Sequence, residues 1–575
     1  MCGFIGRIRN SESTYRPPSL LTGLPFLGRR GPDSHREWKS ENESVELLHV
    51  RLAIVDTDSR AHQPYTVVEH GITVVLNGEI YNYQELRNEL SDFQFHTTSD
   101  TEVVGVLFAR EGIKGLQRLR GMFSMVIADS RARRVFLVRD PVGKKPFFLA
   151  DLPSGKYFGS SILPLVAASG EPQQIDSSVI EYFWEEGYIP PNASVLKRFK
   201  PIAPGQVIEL DWNGNIRAEH SCIPEYKPEA PPKDLAEIHE RISTLVSQSV
   251  GRRLTNNPNP VCLLSGGIDS TVVAMHMKRQ GVGSAITLGS LIPRQLDEKY
   301  ARQAATKLAM PLQIVKAKPG RMADEFLWAI DLQDEPMGMM AFFPLAMMVR
   351  SAKEYGKILL TGDGGDEVFL GYGQPKDWTD KKDGGFGFAG LDDIKVGTAS
   401  PAWMGSWGRR TISASLLGHM FTKLDRATAE QGVEGRCPLL DWDLMMFVRS
   451  LTPEQLFYNS QPKALLKAEL KDWPQSFVER PKMGFPYRLR WVWALKGFSD
   501  FRDLIARDVI DTFESMLPIE LRKPPSRWKN MEILRNFAAA WKLLAWSRFQ
   551  HRLGLASTSG MDHHEILPEV SMING

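Results

Sequence analysis

The chain has 575 residues, of which 42% are hydrophobic and 24% charged. That is the balance of an ordinary globular protein and excludes a disordered or fibrous chain. Lys and Arg number 70 against 68 Asp and Glu, a net charge of +2, so no nucleic acid and no membrane is expected as a partner. The cysteines, at positions 2, 222, 262 and 437, are too scattered for a disulfide framework and form no CxxC pair for a structural zinc site. The N-terminus lacks a basic flank followed by an apolar core, and the most apolar stretch, 337–349, is too short to span a bilayer. A cytoplasmic location is therefore expected. At about 150 residues per domain, the length predicts two to four domains.

In chain order, the first 210 residues read as short strands with polar turns. Ile72–Leu76 runs into Asn77-Gly78, and Met125–Ala128, Val135–Val138 and Val207–Leu210 are further strands. Thr101–Glu111 interrupts them as a helix. The Pro-rich, charged segment Tyr226–Lys233 predicts a linker, taken with its flanks as 211–234. Beyond it Leu235–Val250 carries apolar residues at helical spacing and Val261–Leu264 is a short apolar strand. Strands then alternate with helices through Ile358–Leu360, the pattern of a parallel sheet with crossover helices. Past about Ser400 the reading is mostly helical, and 556–575 lacks apolar periodicity and reads as a loose tail. The expected organisation is one domain over 2–210 and a second over 235–555.

Cys2 follows Met1, with the small Gly3 behind it. Removal of Met1 would leave a thiol and a free α-amine on one residue. The amine, with an ordinary pKa of about 8, can act as general base through a water. Further on stand Arg29-Arg30-Gly31-Pro32-Asp33, His49-Val-Arg51-Leu-Ala-Ile-Val-Asp56, Gln63-Pro64, Leu76-Asn77-Gly78-Glu79, Thr98-Ser99-Asp100 and Arg139-Asp140-Pro141. In this order they resemble the class II glutamine amidotransferases, N-terminal-nucleophile hydrolases with an αββα sandwich. The resemblance implies that Cys2 attacks the side-chain amide of glutamine and that the Asn77 side chain and the Gly78 N–H hold the oxyanion. It also implies a glutamine pocket made by Arg51, Leu52, Ala53, Ile54, Val55, Asn77, Gly78, Glu79 and Asp100. Arg51 suits the α-carboxylate; Asp100, with help from Glu79, suits the α-ammonium. Arg30, Pro32, Asp33 and the Arg139-Asp140 pair read as mainly architectural.

A second constellation begins at Val261-Cys-Leu-Leu264-Ser265-Gly266-Gly267-Ile268-Asp269-Ser270. A strand, a glycine-hydroxyl turn and a helix start can wrap a pyrophosphate with backbone N–H groups and the Ser265 and Ser270 hydroxyls. No Lys-Ser/Thr closes it, so it is not a Walker loop. Gly385-Phe-Gly387-Phe-Ala-Gly390 matches a dinucleotide fingerprint, but no apolar strand precedes it. Leu360-Thr361-Gly362-Asp363-Gly364-Gly365-Asp366 sets acids on a glycine-rich turn after a strand, which makes Asp269 and Asp366 candidate Mg²⁺ ligands.

The SGGxDS pattern resembles the loop of enzymes that cleave ATP between its α and β phosphates. With Lys423-Leu-Asp425-Arg426, Val433–Asp441 and Pro462-Lys463 following in order, nearly the whole chain resembles the glutamine-dependent asparagine synthetases. The fold class implied is α/β, an N-terminal-nucleophile hydrolase sandwich followed by a parallel-sheet ATP-pyrophosphatase domain with a helical C-terminal part. The resemblance implies that Leu264, Ser265, Gly266, Gly267, Asp269, Ser270, Leu288, Thr361, Gly362 and Lys463 bind ATP. Lys463 would neutralise the departing pyrophosphate, and Asp363 would support formation of the acyl-adenylate. ATP and Mg²⁺ are the implied cofactors. Glutamine and a small carboxylate, aspartate foremost, are the implied substrates, and the sequence leaves room for a homodimer.

This sequence departs from the family pattern at particular points. Asp363 stands where bacterial members carry Glu. In some asparagine-forming members the stretch matching Glu335–Pro344 holds polar residues and an Arg, whereas here no Lys or Arg lies between Gln333 and Val349. Met337–Phe343 is then either helix core or an apolar acceptor wall, and a cation for aspartate would have to come from Lys423 or Arg426. Amidation of another carboxylate is the alternative within this chemistry. A non-catalytic binding relative is the alternative outside it, and the presence of Cys2, Asn77, Asp269, Asp366 and Lys463 speaks against it.

Overall fold

The computed structural model describes residues 2–225, 230–254, 259–289, 296–316, 322–372, 404, 414–480 and 537–558. The chain divides into two units. The first comprises 1–224, 331–337 and the chain from Lys542 onward; the second comprises 225–330 and 338–541.

The first unit contains β1 (Gly3–Arg9), β2 (Ser34–Lys39), β3 (Val45–Arg51), β4 (Tyr65–Val67), β5 (Ile72–Ile80) and β6 (Gly121–Asp129). It continues with β7 (Arg134–Arg139), β8 (Phe148–Leu152), β9 (Gly155–Gly159), β10 (Phe199–Pro201), β11 (Gln206–Asp211) and β12 (Ile216–Ser221). These form two six-stranded sheets, β10-β8-β9-β1-β3-β2 and β12-β11-β7-β6-β5-β4. Side-chain alternation assigns their faces. Phe4, Ile8, Val45 and Leu47 of one sheet share a core with Val75, Val126, Val135, Leu137, Ile208 and Leu210 of the other. Val74, Leu76, Met125 and Ile127 face away, onto Val103, Val104, Val106 and Leu107 of the helix Asp100–Glu111. Each such buried aliphatic side chain stabilises the fold by about 1.5–3 kcal/mol, so a one-residue slip of β5 would invert both layers.

The helix Ile162–Ser169 has no periodic sequence because every one of its residues is buried. Its N-cap residue, Ser161, makes no side-chain cap. Asp334, from the 331–337 segment, does so instead, accepting from the Ile162 N–H at 2.6 Å and the Leu163 N–H at 3.1 Å. A carboxylate at a helix N-terminus meets both the orphan donors and the positive end of the macrodipole. Replacing Asp334 by Ala is expected to destabilise this unit by about 1–3 kcal/mol, since buried donors lose their acceptor. Denaturant unfolding followed by tryptophan fluorescence would measure it, and Asp334→Asn should lose less.

Strand β12 lies inside the stretch expected as linker, so the first unit extends past residue 210. The sequence hides it because Ile216–Ser221 is an edge strand with no buried position. Residues 226–229 lie outside the described residues, as do the 385–390 glycine motif and residues 559–575. The helix Phe537–Thr558 runs into the segment expected as tail.

In the second unit β13 (Val261–Leu263), β14 (Ser284–Leu288), β15 (Leu312–Val315), β16 (Ile358–Leu360) and β17 (Glu434–Arg436) form a parallel sheet ordered β15-β14-β13-β16-β17. The chain winds one way from β13 to β15 and the other way from β16 to β17. The crevice beyond the carboxyl ends of β13 and β16 is the topological switch point of the sheet, where ligands bind in such folds. Strand β17 has no β-like sequence. Its buried Arg436 is satisfied by Glu434 at 2.8 Å and by the Arg253 carbonyl at 2.7 Å. Among the described residues, no helix is long and apolar enough to cross a membrane.

Candidate active site

Alternation decides which side chains meet in the first unit. Cys2 precedes β1 in phase with Phe4 and Ile8, and Asn77 and Glu79 follow Val75 on β5, so all belong to the facing inner surfaces of the sheets. Gly3 pairs with Val50 on β3, and continuing that register sets Cys2 beside Arg51. Cys2 is buried. The Leu52 N–H donates to its Sγ at 3.4 Å, and the thiol faces the Leu52 carbonyl at 3.8 Å. Arg30 Nε donates to the Cys2 carbonyl at 3.3 Å, and Asp33 accepts from the Ala53 N–H at 2.7 Å. Arg30 and Asp33 therefore hold Cys2 and the loop beside it.

Arg51 is buried, and its guanidinium donates to the carbonyl oxygens of Val55, Asp56 and Asp58. Among the described residues no carboxylate pairs with it. A buried cation held by carbonyl dipoles alone is suited to an incoming carboxylate. Asp100 opens its helix and accepts from the Ile80 N–H at 3.0 Å, tying the helix to β5 one residue past the buried Glu79. Ile54 is half-buried and Val55 buried in the loop after Arg51. His49 shares the inner face, but burial pushes its pKa down to about 3 while its Nε2 contacts the Leu76 carbonyl at 3.3 Å. With so low a pKa its ring is neutral.

Gly78 has φ 146°, and a Cβ there would fall 1.9 Å from the Met122 carbonyl oxygen. Only glycine fits. Asn77 Nδ2 donates to Ser124 Oγ at 3.3 Å from the paired position on β6, while Asn77 Oδ1 is buried without a partner. No motif marks Ser124; only strand register brings it to Asn77. Asp140 accepts from the N–H groups of Val142 and Lys144 at 3.0 Å and Lys145 at 3.1 Å. Burial raises its pKa against those hydrogen bonds, and Arg139 ties the same turn through the Gly143 and Lys145 carbonyls. These contacts suit the mainly architectural part expected of the pair.

At the switch point of the second unit lies a cavity of about 230 Å³. Leu264, Ser265, Gly267, Asp269, Ser270, Leu288, Thr361, Gly362, Asp363 and Asp366 all line it. Gly266, also expected there, is instead packed with φ 69° against the Tyr300 backbone. The helix Ile268–Arg279 starts at Gly267 with no side-chain cap, so its first N–H groups remain available to an anion. A Cβ at Gly365 would lie 2.4 Å from Asp269 Oδ1; its absence lets the two loops meet.

Lys463 joins them. Its Nζ lies 2.5 Å from Asp269 Oδ2 and 2.7 Å from Asp366 Oδ1. Burial alone would lower the pKa of Lys463, but the two carboxylates outweigh it and raise the value. The next acid, Glu367, is turned away, accepting from Tyr372 Oη at 2.6 Å and Ser415 Oγ at 2.5 Å, with its pKa raised by burial. No group of three or more His, Cys, Asp or Glu converges among the described residues. Two carboxylates beside a phosphate cradle nonetheless fit Mg²⁺, which takes one or two of them and fills its other positions with phosphate oxygens and water.

The segment Met337–Phe343 divides between core and pocket edge. Met337 is buried in the first unit. Phe343 stacks on Phe326 at 3.9 Å and 11°, as helix core. The cavity wall comes from Ala341, Leu345 and Met348, spaced i, i+4 and i+7 on one face of the helix Phe342–Ala352. Of the cations considered for an acceptor, Lys423 lines the cavity, whereas Arg426 is 2% exposed and does not. Asp297, Met420 and Arg480 also line it, and no sequence motif marks them.

Comparison with known proteins agrees with this division. A glutamine amidotransferase domain matches residues 1–221, and asparagine synthase matches residues 241–405 and 397–552. The chain is 28% identical over 550 residues to asparagine synthetase (glutamine-hydrolyzing) 2 of Bacillus subtilis, covering 85% of this chain and 72% of that protein. It is 26% identical over 605 residues to a putative asparagine synthetase (glutamine-hydrolyzing) of Mycobacterium tuberculosis, covering 88% and 92%. It is also 29% identical over 392 residues to amidase chry2 of Gibberella zeae, covering 64% and 57%.

Proposed function

The chain belongs to the asparagine synthase family and carries a glutamine amidotransferase domain; on that premise we propose that it converts a carboxylate to an amide with nitrogen from glutamine. Cys2 Sγ attacks the side-chain carbonyl of glutamine, the C–N bond breaks, and ammonia leaves. Water then hydrolyses the thioester to glutamate. A half-turn of the Asn77 amide would place Oδ1 on the Ser124 hydroxyl and free Nδ2 for the oxyanion, beside the Gly78 N–H. Arg51 and Asp100 hold the ends of glutamine.

In the second unit the acceptor carboxylate attacks the α-phosphorus of ATP, and pyrophosphate leaves. Ammonia then attacks the acyl carbon and AMP leaves. Mg²⁺, held by Asp269 and Asp366, would supply charge neutralisation on the phosphates. Lys463 holds those carboxylates together and carries charge toward the leaving group, and Asp363 stands on the same turn. The convergence of Asp269, Asp366 and Lys463 at the uncapped helix start carries this reading.

Aspartate is the leading acceptor of the family, but the wall of Ala341, Leu345 and Met348 offers its α-carboxylate no cation, and Lys423 is one charge for two carboxylates. An unpaired buried charge is costly. Aspartate is therefore expected to be a weak substrate, outperformed by a larger carboxylate with an apolar body by roughly two powers of ten or more in kcat/KM. Screening carboxylates for AMP and pyrophosphate release, with ammonia as nitrogen source, tests both points. Efficient turnover of aspartate at low millimolar concentration would remove the apolar-acceptor reading and leave asparagine synthesis.

A further inference from the structure

One cation that lines the cavity of the second unit has no role in the chemistry proposed above. Arg480 follows the short helix Gln475–Val478, and its side chain is only 9% exposed. Its ion-pair partner among the described residues, Asp297, stands at 3.7 Å, beyond hydrogen-bond distance. Tyr300 provides a platform, with the guanidinium 4.6 Å from the ring centroid. Phe477 packs edge-on against Tyr300 at 5.7 Å, and Trp473 lies 4.8 Å from Phe477. The guanidinium is thus fixed in place while, among the described residues, no hydrogen bond uses its donors.

It is fixed against the phosphate cradle. Arg480 lines the cavity, and a side chain added at Gly267 would come within 3.3 Å of an Arg480 Nη. Tyr300 itself abuts Gly266, so the platform and the glycine turn are one packed body. Lys463 already has a carboxylate at each side. A polyphosphate entering this cavity therefore needs a cation besides Lys463, and Arg480 and Lys423 are the two that line it among the described residues. A planar guanidinium, which stays charged even when buried, can meet phosphate oxygens bidentately.

We propose that Arg480 binds the β and γ phosphates of ATP, and the pyrophosphate formed from them, while Tyr300 and Asp297 act as its positioning residues. The inference rests on reading this cavity as the ATP site. It assigns the terminal phosphates because Arg480 sits at the glycine turn that opens the helix, within reach of the charge of Asp269, a candidate Mg²⁺ ligand, where polyphosphate charge would gather.

Calorimetric titration of the full chain with ATP, inorganic pyrophosphate and AMP, each with Mg²⁺, tests it. Arg480→Gln should weaken ATP and pyrophosphate binding by roughly ten- to a hundredfold and leave AMP within about twofold. Arg480→Lys, which keeps the charge and loses the fork, should fall between. Tyr300→Leu, which leaves Arg480 present without its platform, should weaken pyrophosphate in the same direction and guards against a misfolded Arg480 variant. Glutamine hydrolysis at the Cys2 site should be unchanged in each. Unchanged affinity for ATP and pyrophosphate in Arg480→Gln, or an equal loss for AMP, would overturn the assignment. If the unaltered chain binds neither ATP nor AMP, the reading of the cavity itself falls, and the assignment with it.

Discussion

Replacing Cys2 by Ala is expected to abolish amide formation from glutamine by roughly three powers of ten or more, the scale on which a nucleophile is lost. Amide formation from ammonium salts should stay within about twofold, because ammonia bypasses the thioester. The structure gives grounds to expect so clean a separation. Cys2, Arg51, Asn77 and Asp100 all belong to the first unit, whereas the phosphate cradle and its acids all belong to the second. Alanine also fits the buried position of Cys2 without disturbing the Arg30 hydrogen bond, which is made to the backbone carbonyl. Both rates would be read from the same preparation by AMP release, with glutamate release as the control. Loss of the ammonia-driven rate in a folded Cys2→Ala chain would show that the chemistries are not divided in this way.

Much of this was legible in the sequence, for reasons that differ by element. Strands β5, β6, β7 and β11 show as short apolar runs between polar turns, because one face meets the sandwich core and the other a helix or a neighbouring layer, so nearly every position is buried. The helix Ile162–Ser169 shows no period because it is buried all round, and β12 shows none because it is buried nowhere. The glycine turns were readable as chemistry, since Gly78 and Gly266 occupy conformations and approaches that a side chain would block. Ser124, Asp334 and Arg480 were not. Each acts on a group distant in sequence or held by strand register, and a lone Ser, Asp or Arg carries no local signature of its partner. The Met337–Phe343 segment was readable only as a pair of alternatives, because Phe343 packs into the core while Ala341, two residues before it, lines the cavity.

The complementary result is expected from Asp366→Asn. The change is nearly isosteric but removes one of the carboxylates that Lys463 contacts, leaving it with Asp269 at 2.5 Å. Burial already pulls the Lys463 pKa down, and Asp366 is one of the charges that overcome that pull. The substitution therefore weakens the grip on Lys463 and removes a charged oxygen from the Mg²⁺ pair at once. Truncating one partner of a buried charge pair costs about 2–5 kcal/mol, so pyrophosphate release should fall by roughly two to three powers of ten. The Mg²⁺ concentration for half-maximal ATP binding should rise with it. Glutamine hydrolysis should be unaffected, since Cys2, Arg51, Asn77 and Asp100 belong to the other unit. Glu367, already turned onto Tyr372 and Ser415, cannot substitute for it without abandoning those bonds. Normal adenylation by Asp366→Asn at ordinary Mg²⁺ would show that Asp366 only braces Lys463, and that the metal, if used, is held elsewhere.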